Sequence, residues 1–140
     1  MAKKASANPI AASPLILVVD DLEDSRVMYA DYLRHVGYRV ETASDGRSAV
    51  KKARALLPDV IIMDLSLPIM DGWEATRLLK SDPRTAHICV LAVSGHGEPP
   101  YRERVMEAGA TAFFIKPCLP LEIATKIDEC LPARSRRRKK

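Results

Sequence analysis

The sequence predicts a single α/β domain of the doubly wound (βα)5 type, in which a five-stranded parallel sheet is flanked by helices. Three observations predict it. Four short apolar runs and one alternating segment recur along the chain, each is followed by apolar residues at helical spacing, and the first four helical stretches end on glycine or proline signals. Strands separated by helices pair in parallel, and the crossovers place helices on both faces of the sheet.

Each element follows from its own pattern. LILVV at 15–19 is a continuous apolar run, as a strand covered on both faces requires. Leu22, Tyr29, Leu33 and Val36 then mark one helical face, and Gly37 ends it. YRVETA at 38–43 alternates, as an outer strand does. Ser44 or Asp45 caps a second helix along Val50, Ala53 and Leu57, which Pro58 stops. DVIIMD at 59–64 is the third strand, followed by a helix from about residue 71 to 80 that closes at SDP, 81–83. ICVLAV at 88–93 is the fourth strand, and a helix through Val105 and Ala108 ends at Gly109. HGEPP at 96–100 is rich in helix breakers, so this fourth helix is expected to start late or distorted. TAFFI at 111–115 is the fifth strand, and Ile123, Ile127 and Leu131 mark the last helix.

The bulk numbers suit one soluble domain: 140 residues, 47% hydrophobic and 29% charged. The net charge of +4 belongs to the ends. Six of the last seven residues, RSRRRKK, are basic, so the chain without them stands at −2, and without Lys3 and Lys4 at −4. Residues 1–13 are expected to be a flexible segment, 14–131 the folded domain, and 132–140 a basic, disordered tail. Cys89, Cys118 and Cys130 are odd in number and lack metal-type spacing, which predicts no disulfide framework and fits a reducing cytoplasm. The apolar run after Lys3 and Lys4 stops at Asp20, too short for a signal sequence or membrane span, so a cytoplasmic location is expected.

In parallel sheets of this type, ligands bind at the carboxyl ends of the strands. Here those ends carry Asp20 and Asp21, Asp64, Ser94, and Lys116 followed by Pro117. Three carboxylates on one edge repel: two unit charges 4 Å apart cost about 1 kcal/mol in water and ~4 kcal/mol at an effective dielectric of 20. A hard divalent cation relieves that repulsion, and an all-oxygen site with few protein ligands suits Mg2+. Lys116 adds a fixed positive charge and Ser94 a hydroxyl donor. The set fits phosphoryl transfer, with Asp64 as the attacking carboxylate. Singly, each residue has a structural reading as helix cap, turn residue or loop lysine.

The pieces LVVDD (17–21), MDLSLPIMDG (63–72), VSG (93–95) and FFIKP (113–117), in this order, resemble the receiver domain of two-component response regulators, stand-alone and chemotaxis-regulator-like. The spacings of 43 residues from Asp21 to Asp64, 30 to Ser94 and 22 to Lys116 resemble it too. The resemblance implies a flavodoxin-like fold and a phosphorylation-activated switch that is no enzyme in its own right. Asp64 would take a phosphoryl group from a histidine kinase or histidine phosphotransfer protein. Mg2+, or Mn2+, would be held by Asp20, Asp21, Asp64 and the Ser66 backbone carbonyl. Ser94 and Lys116 would contact the phosphoryl group, Phe113 would be the switch aromatic, and Lys116–Pro117 would be cis. The face of the fourth helix, fifth strand and fifth helix would then control binding of an effector protein. Ser66 and His96 sit at variable positions that tune phosphate lifetime in this family. Phe113 reads equally well as core filler, and His96, His35 and His87 as surface imidazoles.

This chain departs from the family's common pattern at Gly95, where alanine is usual, and at Cys89, where proline is common. Two rival chemistries fit less well. An aspartate-nucleophile phosphatase needs a second Asp two residues on, where Ser66 stands, and a flavodoxin-like cofactor binder needs a phosphate loop where the chain reads DDLEDS. The chain also reads as a receiver module from a hybrid histidine kinase or larger regulator. RSRRRKK would touch nucleic acid only non-specifically, through charge.

Overall fold

The computed structural model describes residues 13–95 and 99–132. Five strands alternate with five helices: β1 (Leu15–Val19), α1 (Glu23–His35), β2 (Arg39–Ala43), α2 (Gly46–Leu56), β3 (Val60–Asp64), α3 (Gly72–Ser81), β4 (Cys89–Ser94), α4 (Pro99–Glu107), β5 (Ala112–Ile115) and α5 (Pro120–Cys130). The strands form one parallel sheet in the order β2-β1-β3-β4-β5. The expected fold class is borne out.

The apolar runs make sense once the sheet has helices on both sides, because alternate residues of one strand then enter different cores. Ile16 and Val18 of β1 join Val60, Ile62, Leu91 and Val93 beneath α1 and α5. Leu17 and Val19 join Ile61, Met63 and Val90 beneath α2 and α3. A smaller cluster of Leu65, Ala92, Val105 and Ala110 seats α4, with Trp73 and Phe113 packed against it. The edge strand β2 buries Val40 and Ala43 and exposes Arg39 and Glu41, which is the alternation its sequence shows.

Helix boundaries differ from the sequence reading where local hydrogen bonding competes with hydrophobic spacing. Leu22 is not on the buried face of α1: it precedes the helix and is 58% exposed, leaving Tyr29, Ala30 and Leu33 to face the core. Leu57 likewise leaves the face of α2, because it closes that helix in the left-handed region at φ 50°. Of the two candidate caps, Asp45 is the one used, its carboxylate accepting the Ser48 N–H at 2.7 Å. α4 is described from Pro99, and residues 96–98 of the HGEPP stretch lie outside the described residues. His35 and His87 are exposed, as expected.

The fold brings two of the three cysteines together. Cys89 at the start of β4 and Cys130 at the end of α5 lie side by side, their Cα atoms 6.6 Å apart, while Cys118 is buried elsewhere. Spacing could not reveal this, because the pair is 41 residues apart and meets only when α5 packs back on the sheet. No helix among the described residues is long and apolar enough to cross a membrane. The flanking segments expected at 1–13 and 132–140 lie, but for residues 13 and 132, outside the described residues.

Candidate functional site

The strand order places β1 between β2 and β3, so the chain leaves β1 in one direction and returns on its other side. The crevice at such a switch point opens at the carboxyl ends of β1 and β3, which are Asp20 and Asp64. Asp20, Asp21 and Asp64 each bring a carboxylate oxygen within 4.8 Å of the others. Asp20 and Asp64 are buried, 3% and 4% exposed, whereas Asp21 is open to solvent.

Lys116 reaches into this acidic group from the end of β5. Its Nζ lies 3.0 Å from Asp64 Oδ2 and 3.5 Å from Asp20 Oδ2. Its backbone N–H donates to the Ser94 carbonyl at 2.8 Å, which extends the β4–β5 ladder by one residue and fixes where the side chain starts. The Lys116–Pro117 peptide bond is cis, as expected. Ser94, 1% exposed, follows Val93, the strand partner of Asp64, so its side chain begins one residue from that carboxylate across the sheet.

Burial pushes the Asp64 carboxyl above the ordinary carboxylate range. The Ser66 N–H, 3.0 Å from Oδ1, and the Lys116 ammonium pull it down without overcoming burial, and the Asp20 charge adds to the rise. For Lys116, burial pulls downward, but Asp64 and then Asp20 outweigh it and hold the ammonium above its usual range. A carboxylate that is costly to ionise and still lies among two other acids is a place where more positive charge is stabilising. The donor set therefore fits a hard divalent cation.

The loop after Asp64 is shaped by close contacts. Gly72 opens α3 directly against the β3 exit: a Cβ there would lie 2.4 Å from the Asp64 carbonyl oxygen and 2.8 Å from Leu65 Cα. Asp71 caps the same helix by accepting the Glu74 N–H at 2.9 Å. Gly72→Ala is expected to cost about 3 kcal/mol, at the upper end for overpacking, because backbone rather than a flexible side chain must move. Urea denaturation checks it, and an unchanged midpoint would mean that the loop is free to shift. Ile69 holds φ 69°, an uncommon conformation for a β-branched residue, while Met70 N–H donates to the Pro68 carbonyl at 2.7 Å.

The remaining candidates are placed as follows. Ser66 is exposed beside Asp64, to which it donates its N–H. Phe113 is half-buried at the edge of the α4 cluster, with the Arg102 guanidinium 5.7 Å from its ring centre. His96 lies outside the described residues. Trp73 stacks on Tyr101 with ring centres 5.6 Å apart and takes Arg104 on its ring at 4.6 Å, so it ties α3 to α4. Sequence reasoning missed Arg26, whose Nη1 donates to the Asp20 carbonyl at 2.9 Å. Its place six residues after Asp20 is the only signal, and it is a weak one.

The response regulator receiver domain model matches residues 16–128. The chain is 42% identical over 108 residues to the response regulator PleD of Caulobacter vibrioides, covering 75% of this chain but only 23% of PleD. It is 32% identical over 116 residues to the chemotaxis protein CheY of Thermotoga maritima, covering 81% of this chain and 94% of that protein. Among solved structures, the receiver domain of a Pseudomonas aeruginosa sensor histidine kinase, with a magnesium ion coordinated in its active-site cleft, aligns at a TM-score of 0.78 and 29% identity, covering 84% of this chain and 96% of that one. The chain thus spans less than a quarter of the length of PleD. With the match running from β1 into α5 and the acidic switch point inside it, the chain belongs to the response regulator receiver domain family.

Proposed function

We propose that this chain is a phosphorylation-activated switch in a two-component phosphorelay and that Asp64 is its phosphoacceptor. The observation that carries the reading is the Lys116 ammonium, 3.0 Å from Asp64 and 3.5 Å from Asp20 at the switch point of the sheet. In the transfer, an Asp64 carboxylate oxygen forms a bond to phosphorus as the P–N bond to the donor's phosphohistidine breaks. Lys116 pairs with the incoming phosphoryl oxygens and the Ser94 hydroxyl donates to them. Mg2+, or Mn2+, would be held by Asp20, Asp21, Asp64 and the Ser66 carbonyl. When bound it supplies positive charge to the phosphoryl oxygens. The magnesium in the cleft of the Pseudomonas receiver domain supports this ligand class.

Phosphorylation adds about 1.5 to 2 negative charges beside Ser94 and Lys116. Moving a two-state equilibrium from 1:99 to 99:1 needs ~5.5 kcal/mol, which a few charge-assisted hydrogen bonds at about 1.5–3 kcal/mol each can supply. The face of α4, β5 and α5 carries the change to an effector protein. A cavity of about 670 Å³ opens there between Met106, Phe113, Phe114, Leu121 and Lys126. Phe113 lies between this cavity and the cluster beneath α4, a place from which it can serve as the switch aromatic. Residues 14–131 form the switch module, Ser66 and His96 tune phosphate lifetime, and the module works in the cytoplasm without an enzymatic activity beyond its own phosphotransfer and dephosphorylation.

The test is phosphorylation by a small-molecule phosphodonor or a cognate kinase in the presence of Mg2+. The wild-type chain is expected to take up label that base and neutral hydroxylamine release, as an acyl phosphate does, and Asp64→Asn to take up none. Undiminished labelling of that variant would falsify the assignment.

A further inference from the structure

A second charged cavity lies at the carboxyl end of the edge strand β2, and phosphoryl transfer at Asp64 makes no use of it. Its volume is about 210 Å³, and Arg26, Thr42, Ala43, Ser44, Ser48 and Lys52 line it. The two cations come from opposite faces of the sheet, Arg26 from α1 and Lys52 from α2, and both are half-buried. Each is anchored on a backbone carbonyl at the end of a strand. Arg26 Nη1 donates to Asp20 at 2.9 Å and Lys52 Nζ to Thr42 at 2.5 Å. Those strand ends are joined in turn, since Asp20 N–H donates to the Ala43 carbonyl at 3.1 Å.

Neither cation has a carboxylate within ion-pair distance among the described residues. Asp45, beside the cavity in sequence, accepts the Ser48 N–H at 2.7 Å and the Ser48 hydroxyl at 3.2 Å. Glu23, one turn before Arg26 on α1, is exposed and makes no ion pair with it. One bond to a carbonyl leaves most of the N–H donors of a guanidinium and an ammonium uncommitted. Two half-buried cations around one small cavity repel, and a bound anion offsets both that repulsion and their lost hydration. The planar guanidinium suits an oxyanion in particular. The volume equals the liquid share of about seven waters at ~30 Å³ each, and it falls below the ~300 Å³ at which sites for larger organic ligands begin. A tetrahedral oxyanion fits, and a nucleotide does not.

We propose that this cavity binds phosphate, either as inorganic phosphate or as the phosphate end of a small phosphomonoester, between Arg26 and Lys52 with the Ser44 hydroxyl as a further donor. The site is separate from the phosphoacceptor, yet it joins the acidic cluster through a single backbone unit, because Arg26 holds the carbonyl of Asp20. By reciprocity, any effect of the bound anion on cation binding at Asp20 is matched by an equal effect of the cation on the anion.

The experiment is a titration of the full chain with inorganic phosphate and, in parallel, glycerol phosphate, without divalent cation and at constant ionic strength, followed by amide NMR shifts. Saturable shifts are expected at Arg26 and across 42–48, and the tighter of the two ligands identifies the source. Lys52→Gln is expected to weaken binding about tenfold or more, the loss of one charge-assisted hydrogen bond. Lys52→Arg, which keeps the charge, is expected to retain it. Lys51→Gln, exposed on the same helix and outside the cavity, should match wild type. Shifts that do not saturate, an unchanged affinity in Lys52→Gln, or shifts confined to Ser94 and Lys116 would each overturn the proposal.

Discussion

Lys116→Met is expected to be less stable than wild type by about 1–3 kcal/mol at pH 7 without divalent cation, and to recover part of that loss at pH 4. Breaking a fully buried ion pair typically costs about 3–5 kcal/mol, because the remaining charge is left uncompensated. The Lys116 side chain is 24% exposed, so solvent screens part of the effect and the lower range applies. The sign follows from the direction of its shift. A lysine whose folded pKa is raised contributes stability that is fully present below its unfolded value, near 10.4, and is lost as pH climbs through the folded value. On the acid side the same contribution fades for another reason: protonation of its carboxylate partners removes the charge that Lys116 compensates. Urea denaturation of both proteins at pH 4 and 7 measures this. A deficit of equal size at both pH values would assign the loss to packing rather than charge.

Asp64→Asn is expected to do the opposite and melt at a higher temperature than wild type when divalent cations are chelated. Burial raises the folded pKa of Asp64, so the native state binds this proton more tightly than the unfolded chain does. Its contribution therefore favours folding below the unfolded value near 3.9 and is lost as pH rises through the folded value. Asparagine keeps the shape and removes the charge. A saturating cation should reverse the ranking. A ligand at 100 times its Kd stabilises the native state by about 2.7 kcal/mol, and the variant has given up one of the three clustered carboxylates. Thermal unfolding with and without Mg2+ reads both effects. If the variant melts below wild type under chelation, the Lys116 ion pair outweighs burial at Asp64.

These two variants pull apart what the site balances. Lys116 offsets some of the cost of placing Asp20 and Asp64 together, but not all of it. The remainder is a cost that a bound cation would offset. Such a balance sits on rigid supports: Asp64 ends a strand whose five residues are all buried, and Gly72 lets α3 start hard against that strand's exit.

Much of this was legible in the order of residues. Every strand was found: β1, β3, β4 and β5 are runs of apolar residues, β2 alternates as an edge strand does, and neither pattern needs a partner to be recognised. Asp20, Asp21, Asp64, Ser94 and Lys116 were legible for a related reason: each directly follows or ends such a run, so the strand reading itself assigns them to one edge of the sheet. Leu22 and Leu57 were misread as core because spacing alone does not tell a helix interior from its ends, where capping geometry turns the side chain outward.

Local pattern is enough to set the fold class and the acidic, lysine-bearing edge, since both depend on periodicity and on what terminates each strand. Packing of whole elements settles the strand order that opens the crevice between β1 and β3, the meeting of Cys89 with Cys130, and the convergence of Arg26 and Lys52 from opposite faces of the sheet. Each of these joins residues from elements far apart in the chain. Their proximity depends on how whole helices pack against the sheet, and no local pattern of apolar and polar residues encodes it.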